Sequence, residues 1–295
     1  MSEYQPSGHW TQNRKLQFCE ESQYGITPTA SPVFTSAGEI ESVSETTEIA
    51  LKKYRSLGSE DVYRHLSSGQ LYSFEISYQP ISSALIKYGT QLQGGGTGTI
   101  DKSLSFLYSE DVDGVENYVF YKGARCDQVS VEITNEAVRV SQNFICKEIT
   151  TPAASHGLTT PTFAPANSAA PWTGADGGTS PFTHNSNSYD LDKFRFAVGR
   201  GLDAIRPNGE SLVKMLVPTI RTITGEFDVV RKDAALIADC KSLAARAASY
   251  VLKSAVSTAT FTDMVLVGAA TSRQATATEA LRDSFKFEAR SFSVS

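Results

Sequence analysis

Along most of the chain, apolar and polar residues alternate with a period of two. Tyr72, Phe74, Ile76 and Tyr78 interleave with Ser73, Glu75 and Ser77, which sets the apolar side chains on one face of a strand and the polar ones on the other. The same alternation marks Leu104, Phe106 and Tyr108, then Val129, Val131 and Ile133, and Phe194, Phe196 and Val198. It returns at Ile223, Phe227 and Val229 and at Phe285, Phe287 and Ala289. Strands of this kind belong to antiparallel sheets that cover a core on one side and meet water on the other. Glu110 to Gly114 lies between two of them and predicts a hairpin turn. Helical spacing is confined to short pieces. Leu236, Ile237, Cys240, Leu243, Ala244 and Ala247 form one stripe behind Asp233, a candidate N-cap. A shorter helix is expected after Pro80, with Leu85 and Ile86 inward and Gly89 at its end.

The chain also resembles itself. Shifted by 151 residues without a gap, Ala50–Ile86 aligns with Gly201–Ile237. Leu51, Arg55, Gly58, Val62, Glu75, Ala84, Leu85 and Ile86 are then identical to Leu202, Arg206, Gly209, Val213, Glu226, Ala235, Leu236 and Ile237. The apolar strand positions coincide and both copies run on into a helix, so a strand-helix-strand unit is present twice. Between the copies, Thr150 to Ser188 carries Asp176 as its only charged residue and five of the eleven prolines. Such a run orders its backbone poorly by its own burial, and reads as a linker or long surface loop. Its Leu158, Phe163, Trp172 and Phe182 are more apolar surface than a spacer needs, which predicts that the segment lies pinned across a neighbouring surface, in an oligomer. The expected division is a first β unit at 1–149, a linker at 150–188 and a second β unit at 189–295.

Composition narrows the function classes. The 295 residues carry 27 Lys plus Arg against 32 Asp plus Glu, a net charge of −5. This balance argues against a surface built to grip a nucleic-acid duplex, which needs clustered cations. The longest apolar stretch, Met264 to Ala270, is far short of the about 20 residues that span a bilayer, and Met1 to Pro6 has neither the basic nor the apolar region of an export signal. No membrane insertion is expected. Cys19, Cys126, Cys146 and Cys240 form no C-x-x-C pair and are expected as buried reduced thiols.

Catalytic and cofactor signatures fail on inspection. Gly199-Arg200-Gly201-Leu202-Asp203-Ala204 fits G-x-G-x-x-A after a strand, but Arg206-Pro207-Asn208-Gly209 follows where a dinucleotide-binding turn must open a helix. Gly94 to Gly98 lacks the Gly-Lys step of a phosphate loop. His9, His65, His156 and His184 stand apart from one another and are expected at the surface, and Asp111 and Asp113 lack the rest of a calcium loop. No G-x-S-x-G elbow occurs. Neither catalytic residues nor a metal or cofactor are expected. A carbohydrate-binding or adhesin-like β module is the alternative class. It calls for an exposed aromatic cluster, which Trp10 and Trp172, distant in sequence, do not suggest.

Three stretches carry a family resemblance: Ser68 to Tyr78 leading into a short helix, Tyr121-Lys122-Gly123 running into the alternating strand that ends at Ile133, and Arg221 to Val230 with its Thr224-Gly225-Glu226. In order and spacing they resemble the tail tube proteins of long-tailed bacterial viruses, over residues 35–295. The resemblance implies a mainly β fold, a sandwich or barrel with a flanking helix in each of two tandem units. It also implies a virion protein, assembled in the host cytoplasm, whose partners are itself, other tail proteins and DNA passing non-specifically through the lumen. Relatives with one unit per chain form rings of six, so two units per chain predict a ring of three with pseudo-sixfold symmetry, six chains being the alternative. On this reading Ser73, Glu75, Ser77, Thr222, Thr224, Glu226 and Asp228 face the channel, with Glu75 and Glu226 forming a negative ring. Leu158, Phe163, Trp172 and Phe182 hold contacts between subunits.

Overall fold

The computed structural model describes residues 12–55, 62–90, 102–112, 115–165, 169–178, 181–207, 212–230, 234–271 and 282–295. The chain is mainly β. Its first half runs β1 (Gln12–Glu20), β2 (Thr35–Ser36), β3 (Glu39–Arg55), β4 (Val62–Gln79), α1 (Ala84–Thr90), β5 (Leu104–Val112), β6 (Val115–Ile133), β7 (Val138–Cys146) and the short β8 (Glu148–Ile149). The second half runs β9 (Phe182–His184), β10 (Asn187–Tyr189), β11 (Leu191–Gly199), β12 (Leu202–Ile205), β13 (Met215–Pro218), β14 (Thr222–Val230), α2 (Ala235–Ser242), β15 (Arg246–Lys253), β16 (Ser257–Thr271) and β17 (Arg282–Val294).

Strand pairing in the two halves has one topology. Hydrogen-bonded neighbours run β2-β1-β5-β6-β7-β4-β3 in the first half and β10-β9-β15-β16-β17-β14-β11 in the second. In each, one long strand serves two layers. β6 pairs β5 through Val115–Ala124 and β7 through Arg125–Ile133, turning at Gly123, whose φ of 67° favours glycine. A Cβ there would also stand 2.9 Å from that of Lys147. β16 pairs β15 as far as Met264 and turns at Asp263, φ 51°. There the left-handed conformation falls on one of the few residue types other than glycine that adopt it, and Arg290 pairs with the carboxylate at 3.0 Å.

The alternating strands explain the core. Phe74, Phe106 and Phe144 pack together in the first half, and Phe194, Phe227, Phe261 and Phe287 in the second, mostly edge to face. All are buried in one cluster that runs through both halves. A smaller cluster of Cys19, Phe34, Leu107 and Phe120 lies under Leu158.

Several local expectations need correction. The α2 stripe is a turn too long: Leu243 caps the helix in the left-handed conformation and is 62% exposed, and Ala247 lies in β15. The physical reason is that the last amides bend back, Ala244 N–H to Asp239 O at 3.1 Å, which closes the helix before the apolar spacing ends. Asp233 lies outside the described residues, as do Asp113, Gly114, Trp10, His9 and the loop Gly94–Gly98. α1 begins after Pro80 as expected, burying Leu85 and Ile86, but runs through Gly89 to Thr90. Cys19, Cys126 and Cys146 are buried free thiols, and Cys240 is half-buried. His184 is not at the surface but 1% exposed, because it stacks on Phe182 on β9, which pairs with β15. Desolvation holds its imidazole below the usual histidine value.

Candidate functional site

The inner strands of the two halves join into one continuous wall, β3-β4-β7-β6-β11-β14-β17-β16. One face of it is core. The other is mainly polar, with Ile145, Ala197, Val265 and Ala270 among its members, and carries every residue expected to line a channel: Ser73, Glu75 and Ser77 on β4, and Thr222, Thr224, Glu226 and Asp228 on β14. Register places them together, since opposite residues in an antiparallel pair share a face. One row reads Ser77, Ser141, Ser130, Ala197, Thr224 and Glu288 across six adjacent strands.

A second row, Arg139, Glu132, Arg195, Glu226 and Lys286, alternates in sign at every step across β7, β6, β11, β14 and β17. Opposite charges across strands contribute about 0.2–1 kcal/mol per pair. Lys193 reaches Glu132 at 2.7 Å, and its hydrogen bond holds that carboxyl below the usual carboxylate range. Glu41 is lowered too, by the hydrogen bond from Gln79 and by Arg139. Ser284 donates to Asp228 at 2.5 Å, and Ser141 donates to Glu75. Glu226 therefore stands between two cations, while Glu75 lies opposite Asn143 and Ser44. In this row the wall presents mixed charge, with each of Arg139, Arg195 and Lys286 opposite a carboxylate.

The halves meet at a seam. β6 pairs β11 antiparallel, Gln128 opposite Gly199 through Ile133 opposite Phe194. Phe194, Phe196 and Val198 are fully buried beneath it. α1 lies over the seam, against both β6 and β17. Two arginines of the second half close its C-terminal end: Arg200 donates to Tyr88 O at 2.8 Å, and Arg221 to Thr90 O and, at 2.9 Å, Phe292 O. Cations at this end complement the helix dipole and satisfy its last carbonyls. Burial beside Arg200 pushes the Arg221 guanidinium down to about 10, still a cation at neutral pH. Neither arginine was legible as functional, because the Gly199 to Ala204 match draws attention to the glycines. The chain there enters β12, not a helix, and Leu202 N–H is anchored on the Asp127 carboxylate at 2.7 Å.

The described residues of the segment 150–188 lie along the chain's own surface. Thr159 and Thr162 bridge Ala30 and Val33 in parallel, and Trp172 bonds Pro80 O and Val138 N through its backbone. Trp172 and Phe182 are 0% exposed, their burial supplied within the chain. Leu158 is half-buried on the smaller cluster, and Phe163 stays 39% exposed beside Phe34. β9 and β10 arise inside this segment.

A family model described as phage tail tube protein matches residues 11–289. No curated protein matches the chain.

Proposed function

Because the chain belongs to the phage tail tube protein family, we propose that it polymerises into rings of three chains, stacked into the tube through which viral DNA reaches the host cell. The observation that carries the stoichiometry is the duplicated strand order joined at the β6–β11 seam. The two halves act as two tube units, the first within 1–149 and the second within 189–295 together with β9 and β10, which it draws from the end of the 150–188 segment. The seam then is the contact that two neighbouring units make in a ring, already formed inside one chain. Three chains supply six units.

In this ring the polar wall lines the lumen. A DNA duplex passing along it meets cations set opposite or paired with carboxylates: Arg195 opposite Glu132 and Glu226, Lys286 opposite Glu226, Lys193 paired with Glu132 and Arg139 with Glu41. Persistent phosphate contacts need free clustered cations, so the wall lets DNA slide. The chain acts as a structural part with no catalytic step. It is assembled in the host cytoplasm, and Phe163, still exposed, is available to other tail proteins or neighbouring rings.

Native mass spectrometry of purified rings, or the symmetry of a tube reconstruction, tests this reading. Three chains of 31.9 kDa per layer are expected. Six per layer refute the two-unit assignment.

A further inference from the structure

The ring proposed above leaves one question that the strand registers answer: which edges meet between chains, and in what alignment. Each end of the wall is open. β3 pairs β4 on one side only, and β16 beyond Met264 pairs β17 on one side only, among the described residues. These are the duplicates of the two strands that form the internal seam. β3 corresponds to β11, and the irregularities agree: the ladder of β3 on β4 shifts between Ile40 and Ser42, and that of β11 on β14 between Leu191 and Lys193. β16 corresponds to β6, with shifts between Leu266 and Gly268 on β17 and between Cys126 and Gln128 on β7. Bulges at matching places fix the correspondence residue by residue.

From these registers we infer that β16 of one chain pairs antiparallel with β3 of the next, Gly268 opposite Glu48, Ala269 opposite Thr47, Ala270 opposite Thr46 and Thr271 opposite Glu45. This rests on the ring reading, and its occupant is a second copy of this chain. Each assignment transfers an internal pair: Gln128 with Gly199, Val129 with Val198, Ser130 with Ala197 and Val131 with Phe196.

Exposure at the two edges agrees. Ile49 is 51% exposed at the position that Arg200 holds in the other copy, and Arg200 reaches the end of α1. The transfer sets Ile49 against the end of the neighbour's α2, where Leu243 is 62% exposed. Val267, in the bulge of β16, is 49% exposed on the same edge. The seam inside the chain is closed by arginines, whereas the seam between chains joins apolar side chains that a lone chain leaves in water.

Glu45 takes the place of Phe196. Its backbone lies opposite Phe74 and its carboxylate accepts from the Tyr121 hydroxyl, so it points toward the core side from an open edge. An inward-pointing charge is one way that edge strands are kept from pairing indiscriminately.

The test is a disulfide made in the full chain carrying Cys240→Ser. In Thr46→Cys with Ala270→Cys, the two sulfurs sit on directly opposite residues, whose Cα atoms in an antiparallel pair are about 4.5–5.5 Å apart, inside the roughly 4.4–6.8 Å a disulfide spans. Thr47→Cys with Ala270→Cys slips the register by one and turns the sulfurs to opposite faces. Covalent trimers from the first variant and none from the second are expected on oxidation of assembled protein. Rings by electron microscopy with no cross-link, or with the slipped cross-link, overturn the register and leave the ring reading standing. Absence of rings from the unsubstituted chain overturns the ring reading itself. Should the first variant fail to assemble when reduced, Thr47→Cys with Ala269→Cys decides by the same criterion.

Discussion

Glu45→Gln separates an edge guarded by charge from one that is merely unoccupied. In the free chain the Glu45 side chain is exposed and hydrogen-bonded to Tyr121. When a neighbour's β16 covers the edge, the carboxylate enters a position whose duplicate, Phe196, is 0% exposed. Removing a carboxylate from water costs several kcal/mol even after relaxation, and a hydrogen bond to a charged group offsets about 1.5–3 kcal/mol of it. A residual penalty on the order of 1.4–2.8 kcal/mol per seam remains, a tenfold to hundredfold factor for each seam. Glutamine keeps an acceptor for Tyr121 and removes the charge. A closed ring of three holds three such seams and forms from three chains, so the half-assembly concentration shifts by the three-halves power of the seam factor. Sedimentation across a concentration series at physiological salt is expected to show Glu45→Gln assembling at a concentration about thirty to a thousand times lower than the parent chain, with an unchanged melting temperature. Glu48→Gln, on the same edge but on the polar face, serves as the control and is expected to move it less than threefold. Equal or poorer assembly by Glu45→Gln, or an equal shift from Glu48→Gln, refutes the reasoning.

Gly225→Ala is expected to lower stability by about 1–3 kcal/mol in urea unfolding, because a Cβ there meets Phe287 Cζ at 2.3 Å and the Arg195 carbonyl oxygen at 2.5 Å; a change under about 0.5 kcal/mol would contradict the packing. Burial lowers the His184 pKa in the folded chain, so the unfolded chain takes up the proton first as pH falls through about 6.5, and the contribution present above that pH is lost below it. Melting temperatures from pH 7.5 to 5 are therefore expected to fall less steeply for His184→Gln than for the parent, and parallel curves exclude this origin. Glu75→Lys combined with Glu226→Lys sets a third cation between Arg195 and Lys286 in place of the alternating row. DNA ejection from particles carrying it should slow and recover with added salt, and unchanged ejection kinetics would remove this face from the lumen.

Much of the wall was legible because it repeats. The alternation at Tyr72–Tyr78 and Ile223–Val229 located β4 and β14, and the 151-residue shift aligned them together with the first residues of the helices, Ala84 and Ala235. Beyond the helices the shift fails, since β5 begins at Leu104 and β15 at Arg246, and a gap-free comparison cannot follow loops of unequal length. β9 and β10 escaped for a different reason: three-residue strands have no readable period, and only the pairing of β9 with β15, and of β10 with β9, orders them. The alternating charges were hidden because Arg139, Glu132, Arg195, Glu226 and Lys286 are scattered over some 150 residues and meet only through strand register. The same holds for Arg221, whose partners at Thr90 and Phe292 lie 131 and 71 residues away. Leu243 misled because apolar spacing continues past the point where the backbone leaves the helix.

The joining of the two halves within one polypeptide has a consequence for what the ring can become. In a ring of six identical chains, every position at a subunit boundary must serve all six boundaries, so a substitution that suits one is imposed on all. In the proposed ring of three, Arg200 and Ile49 occupy equivalent places, as do Phe196 and Glu45, yet each would answer to a different boundary. A sixfold shape with threefold chemistry can make alternate boundaries permanent and the others conditional. A tube built of such rings would also offer any component that caps it two kinds of docking position, alternating around the rim, so that a threefold partner could settle in only three of the six rotations that the outline alone would permit.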